Sequence, residues 1–392
     1  MIIVGLLGAL INNENLGCLA LTYSQINLIE EIARAENLDV KYYVFEGESD
    51  NTMTELLEKR LGIESGKVVS YNVTPLFRFR RFVHHFGMGI KTWKAFNECD
   101  LFIDLTGGDS FTDIYGQYTF DSETNVKLLV KKIGKPLILG PQTYGPFENK
   151  KNVKKAISAI EKADIVLSRD QKSVDFISRY TDKKITVTTD LAFMLPFKKN
   201  NIVPSGKIRI GVNVSGLLIK DKTERTSLES VFKTDYEKYI TRLIDWLLDN
   251  KSYEIYAIPH VGKDGNDWLK GIYGSRINYL GIYKDPISAK NDISTMDIFI
   301  GSRMHATVGA FSSGVCTIPV AYSRKFSGLF NHLNYDYVID MTEMTTDVAF
   351  ETTIKYIEDF QNIKVNVLES MKKVHEESEK NRSIYRDILV KL

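Results

Sequence analysis

The feature that most constrains the fold is an alternation of short apolar runs and longer amphipathic segments, which occurs twice along the 392-residue chain. The apolar runs show little polar alternation, which is typical of strands in a parallel sheet covered by helices on both faces. In the first half these runs are IIVGLLG, VKYYVF, KVVSY, CDLFIDL, KPLILG and ADIVLS. The second half restarts with KIRIGVNV and continues with YEIYAIPH, MDIFIGS and CTIPVAY. The pattern predicts two doubly wound α/β domains.

The polar segment PFKKNNIVPSGK, residues 196–207, is the best candidate for a linker because it contains Pro, Asn and Gly. We therefore expect one domain over residues 1–200 and a second over 201–345. Residues 346–392 are charged and have helical periodicity without a strand pattern. We expect them to form a helical segment that packs across both domains.

Composition excludes several classes of protein. Hydrophobic residues make up 43% and charged residues 26% of the chain, and the net charge is +1. This balance is typical of a soluble globular protein and gives no overall attraction to nucleic acid. The three cysteines are widely spaced, which predicts neither a zinc site nor a disulfide framework and favours a reducing, cytoplasmic setting. No apolar run reaches 18 residues, so we expect no transmembrane helix.

Ligands of open α/β sheets bind beyond the carboxyl ends of the strands, so the residues after each strand are the candidates for a site. The first such loop, GALINNENLGC, lacks the GxGxxG spacing of a dinucleotide site. It places Asn15 and Gly17 at the start of a helix, where N–H groups attract polar ligands. A turn without a ligand is the alternative. Gln142, in the later loop PQTYGPF, is either a ligand contact or structural.

The loop TGGDSFTDIYG, residues 106–116, follows the strand CDLFIDL. Gly107 and Gly108 allow the backbone to approach a ligand closely or to adopt a positive φ. Asp109 and Asp113 are candidates to accept hydrogen bonds from ligand hydroxyls or to act as a base. The alternative is that Asp109 caps a helix and Asp113 is solvated.

Cationic side chains follow strands in both halves. Arg169 comes after ADIVLS, and its alternatives are an anionic ligand or a salt bridge, either to Asp170 or to a neighbouring loop. In the second half, IPHVGKDGND offers His260, GSRMHA offers Arg303 and His305, and YSRKFSGLF offers Lys325. Arg303 and His305 would share a pocket if the helix began at or after His305, since alternate residues of an extended segment point the same way. Arg303 would pair either with a bound anion or with a carboxylate of its own domain.

Together these residues predict a cationic cleft between the domains, suited to a small substrate that carries a phosphate and a carboxylate. The sequence contains no DxD motif and no metal-ligand spacing, so we expect no metal.

Several motifs resemble the polysaccharide pyruvyl transferase family. They are GGDSFTD, GPQTYGPF, RDQKS, TDLAF and SRMHATVGAFSSGVCTIPVAYSRKFSGLF, spread from Asn15 to about Leu329. The resemblance implies a GT-B-like fold of two Rossmann-like domains facing a cleft. It also implies transfer of pyruvate from phosphoenolpyruvate to two hydroxyls of a sugar, forming a cyclic ketal. The sequence departs from the family pattern at two places, both on the acceptor side. NLGC has no acidic residue after the glycine, and GGD stands in place of three glycines.

By their positions in these motifs, the resemblance implies that Arg169, Arg303 and His305 act in donor binding and catalysis. Lys325 would join the donor site. The acceptor would be a sugar of a surface polysaccharide or of its lipid-linked precursor, contacted by Asn15, Gly17, Gly107, Gly108, Asp109, Asp113, Gln142 and His260. Phosphoenolpyruvate would be a substrate, and no cofactor is expected. The alternatives are a GT-B glycosyltransferase with a nucleotide-sugar donor and a catalytically silent member of a polysaccharide assembly complex.

The segment PLFRFRRFVHHFGMGIKTWKAF, residues 75–96, is basic and aromatic and has no acidic residue. Such segments are typical of helices that lie on an anionic membrane surface. The alternative is an ordinary helix with an apolar core face and a solvated basic side. We expect peripheral contact with the inner face of the membrane, and no nucleic-acid partner.

Overall fold

A computed structural model describes residues 1–46, 51–73, 86–202, 205–219 and 232–392. The chain divides into two compact units. The first consists of Met1–Asn13, Cys18–Pro196 and Glu376–Leu392, and the second of Glu14–Gly17 and Phe197–His375. The passage from Pro196 to Phe197 lies close to the boundary expected after residue 200. Four residues near the amino terminus, however, belong to the second unit.

The first unit contains a seven-stranded parallel sheet in the order β3-β2-β1-β4-β5-β6-β7. Its strands are β1 (Ile2–Leu7), β2 (Val40–Glu46), β3 (Val68–Asn72), β4 (Leu101–Asp104), β5 (Leu137–Gln142), β6 (Ile165–Ser168) and β7 (Thr186–Val187). The helices along this part of the chain are α1 (Leu16–Glu36), α2 (Asn51–Leu61), α3 (Phe86–Glu98), α4 (Gln117–Lys132), α5 (Lys150–Lys162) and α6 (Gln171–Ile177). Short 3₁₀ helices cover Thr106–Gly108 and Leu191–Met194.

The central strands of the first unit are buried on both faces, as their apolar runs predict. All residues of β4 and β5 are buried. In the centre, Val4 of β1 pairs with Tyr42 on one side and with Leu101 on the other. The strand order reverses between β1 and β4, and this switch point is where open α/β sheets bind ligands.

The second unit contains a six-stranded parallel sheet in the order β10-β9-β8-β11-β12-β13. Its strands are β8 (Ile208–Asn213), β9 (Tyr253–Ala257), β10 (Asn278–Tyr279), β11 (Ile298–Gly301), β12 (Cys316–Ala321) and β13 (Ile339–Asp340). Its helices are α7 (Tyr236–Asp249), α8 (Asn266–Tyr273), α9 (Pro286–Ile293), α10 (Met304–Ser312), α11 (Arg324–His332) and α12 (Thr346–Glu358). Short 3₁₀ helices cover Gly216–Leu218 and Gly274–Arg276. The switch point of this sheet lies between β8 and β11.

Helix α7 shows how the sequence specifies these elements. Asp235 caps its first turn by accepting a hydrogen bond from the amide of Lys238. Its buried residues recur every three or four positions, which gives the helix one apolar stripe. They are Tyr236, Tyr239, Ile240, Leu243, Ile244 and Leu247.

Residues 346–392 form α12 and a 30-residue helix, α13 (Phe360–Leu389). The residues of α13 up to His375 belong to the second unit and the later ones to the first. Each part buries apolar side chains, such as Ile363 in the former and Tyr385 in the latter. Hydrophobic burial therefore anchors both parts of this helix.

The fold class predicted from the sequence is confirmed, since two parallel sheets alternate with helices. In the described ranges, no helix combines the length and apolarity needed to cross a membrane. Most of the basic aromatic segment, residues 75–85, lies outside the described residues, and its remainder belongs to α3.

Candidate active site

The backbone of the glycine loop meets neighbouring loops at the switch point of the first sheet. Gly107 donates from its amide to the carbonyl of Gly8, after β1, at 2.9 Å. Thr143, after β5, donates to the carbonyl of Gly108 at 2.8 Å. Gly107 and Gly108 have φ of 54° and 83°, a region that glycine enters without steric strain. Of the two roles expected for these glycines, the positive φ is observed, and close approach to a ligand stays a prediction.

Arg169 leaves the end of β6 and is buried against this loop. Its Nη1 donates to Oδ2 of Asp190 at 2.5 Å, and its Nε donates to the hydroxyl of Thr143 at 3.0 Å. A Cβ atom on Gly108 would lie 2.7 Å from Cδ1 of Leu21 and 3.0 Å from Nη1, so a larger residue there would crowd the guanidinium. No described residue accepts a hydrogen bond from Nη2, which leaves that nitrogen for a ligand.

Asp190 holds the Arg169 guanidinium in this position. It is fully buried, and its Oδ1 accepts the amide hydrogen of Ala192 at 2.9 Å, at the start of the 3₁₀ helix. Burial by itself would lower the pKa of Arg169, but the carboxylates of Asp190 and Asp109 outweigh it and raise the pKa. The arginine is therefore charged at neutral pH. Asp170, the neighbour considered from the sequence, caps α6 through the amide of Ser173.

A buried charged network lies beneath the glycine loop. Lys127 and Asp104 are both inaccessible to solvent, and Nζ lies 3.0 Å from Oδ1. Nζ also donates to the hydroxyl of Thr106, the residue before the glycines, at 2.8 Å. Burial raises the pKa of Glu123, an effect that Lys127 opposes. These contacts hold the start of the loop in place.

Gln142, an expected acceptor contact, belongs to this network. It is fully buried, and its amide nitrogen donates to Oδ2 of Asp104 at 3.0 Å. Its position at the end of β5 is as predicted, but its side chain is directed to the core of the unit. Its amide nitrogen is therefore used within the unit, and its contact with an acceptor stays a prediction.

Asp113 also makes hydrogen bonds within its unit. Its Oδ1 accepts from the amide of Glu148 at 2.9 Å, and its Oδ2 accepts from Asn149 and Asn152 at 3.0 and 2.9 Å. Partial burial raises the pKa of this carboxyl, but the three hydrogen bonds lower it more. Asp113 thus connects the glycine loop to the start of α5. Asp109 is half-buried, and its charge acts on Arg169.

In the second unit, Asn213 joins three strand ends. Its amide nitrogen donates to the carbonyl of Ile258, after β9, at 2.8 Å. Its Oδ1 accepts the amide hydrogen of Arg303, after β11, at 2.9 Å. Arg303 itself is in an extended conformation, and α10 begins at Met304. A pocket shared by Arg303 and His305 was expected if the helix began at His305 or later. The helix begins one residue earlier.

Arg303 pairs with Asp264, a carboxylate of its own unit, which is one of the two partners considered from the sequence. Nε lies 3.1 Å from Oδ2, and Nη2 lies 2.8 Å from Oδ1. The Asp264 carboxylate is fully buried, and its Oδ1 also accepts the amide hydrogen of Gly216 at 2.6 Å. No described residue accepts from Nη1 of Arg303. The carboxylate therefore orients the guanidinium and leaves one of its nitrogens for a ligand.

His260 is 6% exposed, and no described residue makes a hydrogen bond with either ring nitrogen. Burial lowers its pKa to about 3, with smaller contributions from the charges of His305 and Arg303. The imidazole is neutral at pH 7 and can donate from one nitrogen and accept at the other. Because unpaired buried polar groups are costly, a ligand hydroxyl or anion is a suitable partner. His305 and Arg303 both act on this ring, so the three side chains form one cluster.

Asn15 and Gly17 belong to this second cluster and not to the first unit, where the sequence placed them. Asn15 forms an antiparallel bridge with Val261. A Cβ atom on Gly17 would lie 2.3 Å from Nδ1 of His305. Lys325 is in the first turn of α11, and its side chain lies outside the described part of the structure.

The predicted residues thus form one cluster in each unit. The first contains Gly107, Gly108, Asp109 and Arg169, and the second contains Asn15, Gly17, His260, Arg303 and His305. The sequence interpretation missed the roles of four residues, namely Asp104, Lys127, Asp190 and Asp264. Asp190 lies in the quoted motif TDLAF, which was the one available signal for it. Within the ranges that the structure covers, no three His, Cys, Asp or Glu side chains are placed to hold a metal ion.

Solved structures with a similar fold define the class of protein. UDP-GlcNAc 2-epimerase from Neisseria meningitidis, bound to UDP-GlcNAc, is 11% identical with a TM-score of 0.57, and the match covers 97% of this chain and 100% of that one. UDP-GlcNAc 2-epimerase from Methanocaldococcus jannaschii is 10% identical with a TM-score of 0.52, covering 91% and 100%. The calicheamicin glycosyltransferase CalG4 is 11% identical with a TM-score of 0.51, covering 98% of each. The chain therefore has the GT-B fold.

A comparison with family models narrows this class. The model for polysaccharide pyruvyl transferase matches residues 21–324, which is more than half of the chain. A search of curated proteins found no match. The chain belongs to the polysaccharide pyruvyl transferase family, as its motifs predicted.

Proposed function

We propose that this enzyme transfers pyruvate from phosphoenolpyruvate to two hydroxyls of a sugar, forming a cyclic ketal. The acceptor sugar would belong to a surface polysaccharide or to its lipid-linked precursor. The observation that carries the proposal is the Arg303 cluster at the switch point of the second sheet, within the span of the family match. It combines an oriented cation with two imidazoles, a set suited to an anionic donor that reacts through proton transfer.

The two arginines are assigned to the phosphate and the carboxylate of the donor. Each forms a salt bridge with a fully buried carboxylate, Arg169 with Asp190 and Arg303 with Asp264. Each keeps one terminal nitrogen without an acceptor among the described residues. Guanidinium groups fixed in this way need little reorganisation to bind oxyanions. Lys325 is retained as a further donor contact because its motif position matches the family.

The chemistry requires four changes at the donor, and His305 is assigned to the proton transfers. A proton is added to the methylene carbon, and one sugar hydroxyl bonds to C2. The C2–O bond to phosphate then breaks, and the second hydroxyl bonds to C2. Of the two hydroxyl protons, one balances the proton placed on the new methyl group and the other leaves with phosphate. An imidazole suits both donation and acceptance near neutral pH.

The acceptor is assigned to the neutral His260 ring and to Asp109. The two ring nitrogens of His260 can donate to and accept from a sugar hydroxyl, which does both itself. Asp109 is half-buried at the end of the glycine turn and would orient or deprotonate the second hydroxyl. Asn15, Gly17, Gly107 and Gly108 would contribute backbone and amide contacts.

The exposed face of α3 supports the proposal that the acceptor is lipid-linked. Ile90 and Trp93 are about two-fifths exposed, at 39% and 41%, and Lys91 and Lys94 are exposed beside them. Apolar and basic side chains on one exposed surface favour binding to anionic lipid.

The membrane contact is tested by sedimentation with phosphatidylserine vesicles at low salt. The protein should sediment with the vesicles, and Trp93→Ser should weaken this binding. Tyr180→Ser, at another exposed aromatic residue, is the control. Equal binding to purely zwitterionic vesicles, or none to either, would exclude the membrane contact.

The donor is tested by ligand-induced stabilisation followed by product analysis. Phosphoenolpyruvate at 100 times its Kd should stabilise the protein by about 2.7 kcal/mol, whereas UDP-sugars should not. Phosphate release with candidate lipid-linked saccharides should then coincide with an acceptor whose mass increases by one pyruvate ketal.

His305→Gln should lower the rate by roughly a hundredfold without unfolding the protein, and His375→Gln, at an exposed ring, should not. Stabilisation by a UDP-sugar alone would support the glycosyltransferase alternative. Binding of phosphoenolpyruvate without turnover on any saccharide would support the alternative that the protein is a catalytically silent member of a polysaccharide assembly complex.

A further inference from the structure

Four residues that end in the first turn of α1, Glu14–Gly17, form a strap that packs within the second unit. The backbone of the strap runs along the loop that follows β9. Leu16 donates from its amide to the carbonyl of His260 at 3.2 Å, and Gly262 donates to the carbonyl of Glu14 at 3.2 Å. Asn15 and Val261 pair between them as an antiparallel bridge. Asn15 also closes the turn into α1, since its Oδ1 accepts the amide hydrogen of Gly17 at 3.1 Å.

Gly17 lies directly against the imidazole of His305. A Cβ atom built on Gly17 would lie 2.3 Å from Nδ1, 2.7 Å from Cγ and 2.9 Å from Cβ of the histidine. Each distance is shorter than carbon tolerates without displacement of a neighbour. Gly17 is not in the left-handed region of φ, so backbone conformation does not require glycine there. What requires it is the space occupied by the ring.

We propose that the strap fixes the position of the His305 imidazole and that Gly17 is a positioning residue for it. The strap covers the Nδ1 edge of the ring, which directs Nε2 to the ligand. The hydrogen bonds between the strap and the His260 loop hold the imidazoles of His260 and His305 in a fixed position relative to each other. The inference rests on the proposed function only where turnover is measured. The placement of the ring is tested separately.

The first experiment compares Gly17→Ala with Gly281→Ala. Gly281 is a matched control because it lies in the same unit, lacks a left-handed φ, and has no atom within 4 Å of its Cβ position. The proteins are labelled at their six histidines, and the His305 ring signals are assigned with His305→Gln. Gly17→Ala should move the His305 signals, and Gly281→Ala should leave them unchanged. Unchanged His305 signals in folded Gly17→Ala protein would overturn the proposal.

The second experiment is a double-mutant cycle, which remains informative if Gly17→Ala is poorly stable. His305→Ala removes Nδ1 and Cγ, the two atoms nearest the Gly17 position. Gly17→Ala should therefore lower Tm by several degrees in the native background and by clearly less in the His305→Ala background. An equal loss of Tm in both backgrounds would mean that the strap does not act on this ring.

Turnover supplies the third readout. Misplacement of the ring by about 1 Å should lower kcat for phosphate release from phosphoenolpyruvate at least tenfold, with a smaller change in the donor KM. If the native protein releases no phosphate while the ring signals and the cycle behave as expected, the proposed function fails and the role of the strap stands. If the native protein is active and Gly17→Ala keeps its full kcat, the positioning role is wrong.

Discussion

Two buried aspartates decide how the two arginines are presented. Asp190 and Asp264 each accept from a guanidinium with one oxygen or both, and each also accepts a backbone amide hydrogen that fixes the carboxylate. A buried ion pair of this kind adds little net stability, but removing one partner is costly because the other charge remains buried. The aspartates therefore act as orienting groups whose loss is detectable in both folding and binding.

The first prediction concerns Asp264→Asn. It should lower the free energy of unfolding by about 3 kcal/mol, because the Arg303 guanidinium loses its counter-charge in a largely buried site. Urea denaturation at pH 7 measures this. Asp267→Asn is the control, since Asp267 pairs with Lys263 in a mostly exposed salt bridge and should cost less than about 1 kcal/mol. Equal losses in the two variants would contradict the orienting role of Asp264.

The second prediction concerns pH and His260. Its folded pKa of about 3 lies below the ordinary value of 6.5, so the unfolded chain binds the proton more readily. The stability that this group contributes is present above pH 6.5 and is lost as the pH falls towards 3. Between pH 7 and pH 5 the native protein should lose about 2 kcal/mol more than His260→Gln.

Urea titrations of both proteins across this range give the difference. His375→Gln serves as the control because that ring is exposed. If the native protein and His260→Gln show the same pH dependence, the ring is not buried in its neutral form.

At the scale of elements, the long strands and helices were predicted closely and the shortest strands were not. Two of the longer amphipathic segments form α2 and α5, which cover Asn51–Leu61 and Lys150–Lys162. The two-residue strands β7, β10 and β13 carry too few residues for any periodicity to be visible in the sequence. They are strands only because a neighbouring strand supplies their hydrogen-bond partners.

The polar residues that follow strands differ in what their side chains contact. Asp113 and Gln142 follow strands just as Asp109 and His260 do. The Asp113 carboxylate accepts from two backbone amides, and the amide nitrogen of Gln142 donates to the buried carboxylate of Asp104. Position along the chain predicts which edge of the sheet a residue occupies. It does not predict whether another loop of the same protein will use its hydrogen-bonding groups.

The third prediction is that Asp113→Ala destabilises the first unit without slowing turnover. The loss of three hydrogen bonds at the start of α5 should lower the free energy of unfolding by about 2 kcal/mol. Since the folded pKa of Asp113 is lowered, this stability is present at neutral pH and disappears as the pH falls through that pKa. Asp175→Ala, at an exposed helical position, is the control. A large fall in kcat at a temperature where the variant is folded would restore the acceptor-binding role.

At the scale of the whole molecule, both units are assembled from separate stretches of chain. The carboxyl-terminal residues Glu376–Leu392 belong to the first unit, where Tyr385 and Leu389 are buried. Asn381 is fully buried there and donates to the carbonyl of Thr189, next to Asp190, at 3.5 Å. The end of α13 therefore supports the segment that orients Arg169.

The fourth prediction is that a chain ending at His375 has a destabilised first unit. Loss of the two buried side chains should lower its free energy of unfolding by more than about 3 kcal/mol. The same truncation should weaken phosphoenolpyruvate binding, because Asp190 loses a neighbouring contact. A chain ending at Val390 lacks only two exposed residues and is the control. Equal stability of the two truncated proteins, measured by urea denaturation, would contradict this account.

The sequence by itself determined the two parallel sheets, the residues at their strand ends and the family. These properties depend on local patterns, namely apolar runs buried on both faces and contiguous motifs such as SRMHA. Only the tertiary structure decided which carboxylate orients each arginine, that Gln142 is turned inward, and that Glu14–Gly17 packs against His305 in the second unit. These contacts join residues far apart in the chain, and their choice depends on which backbone amides, carboxylates and empty spaces the folded units bring together.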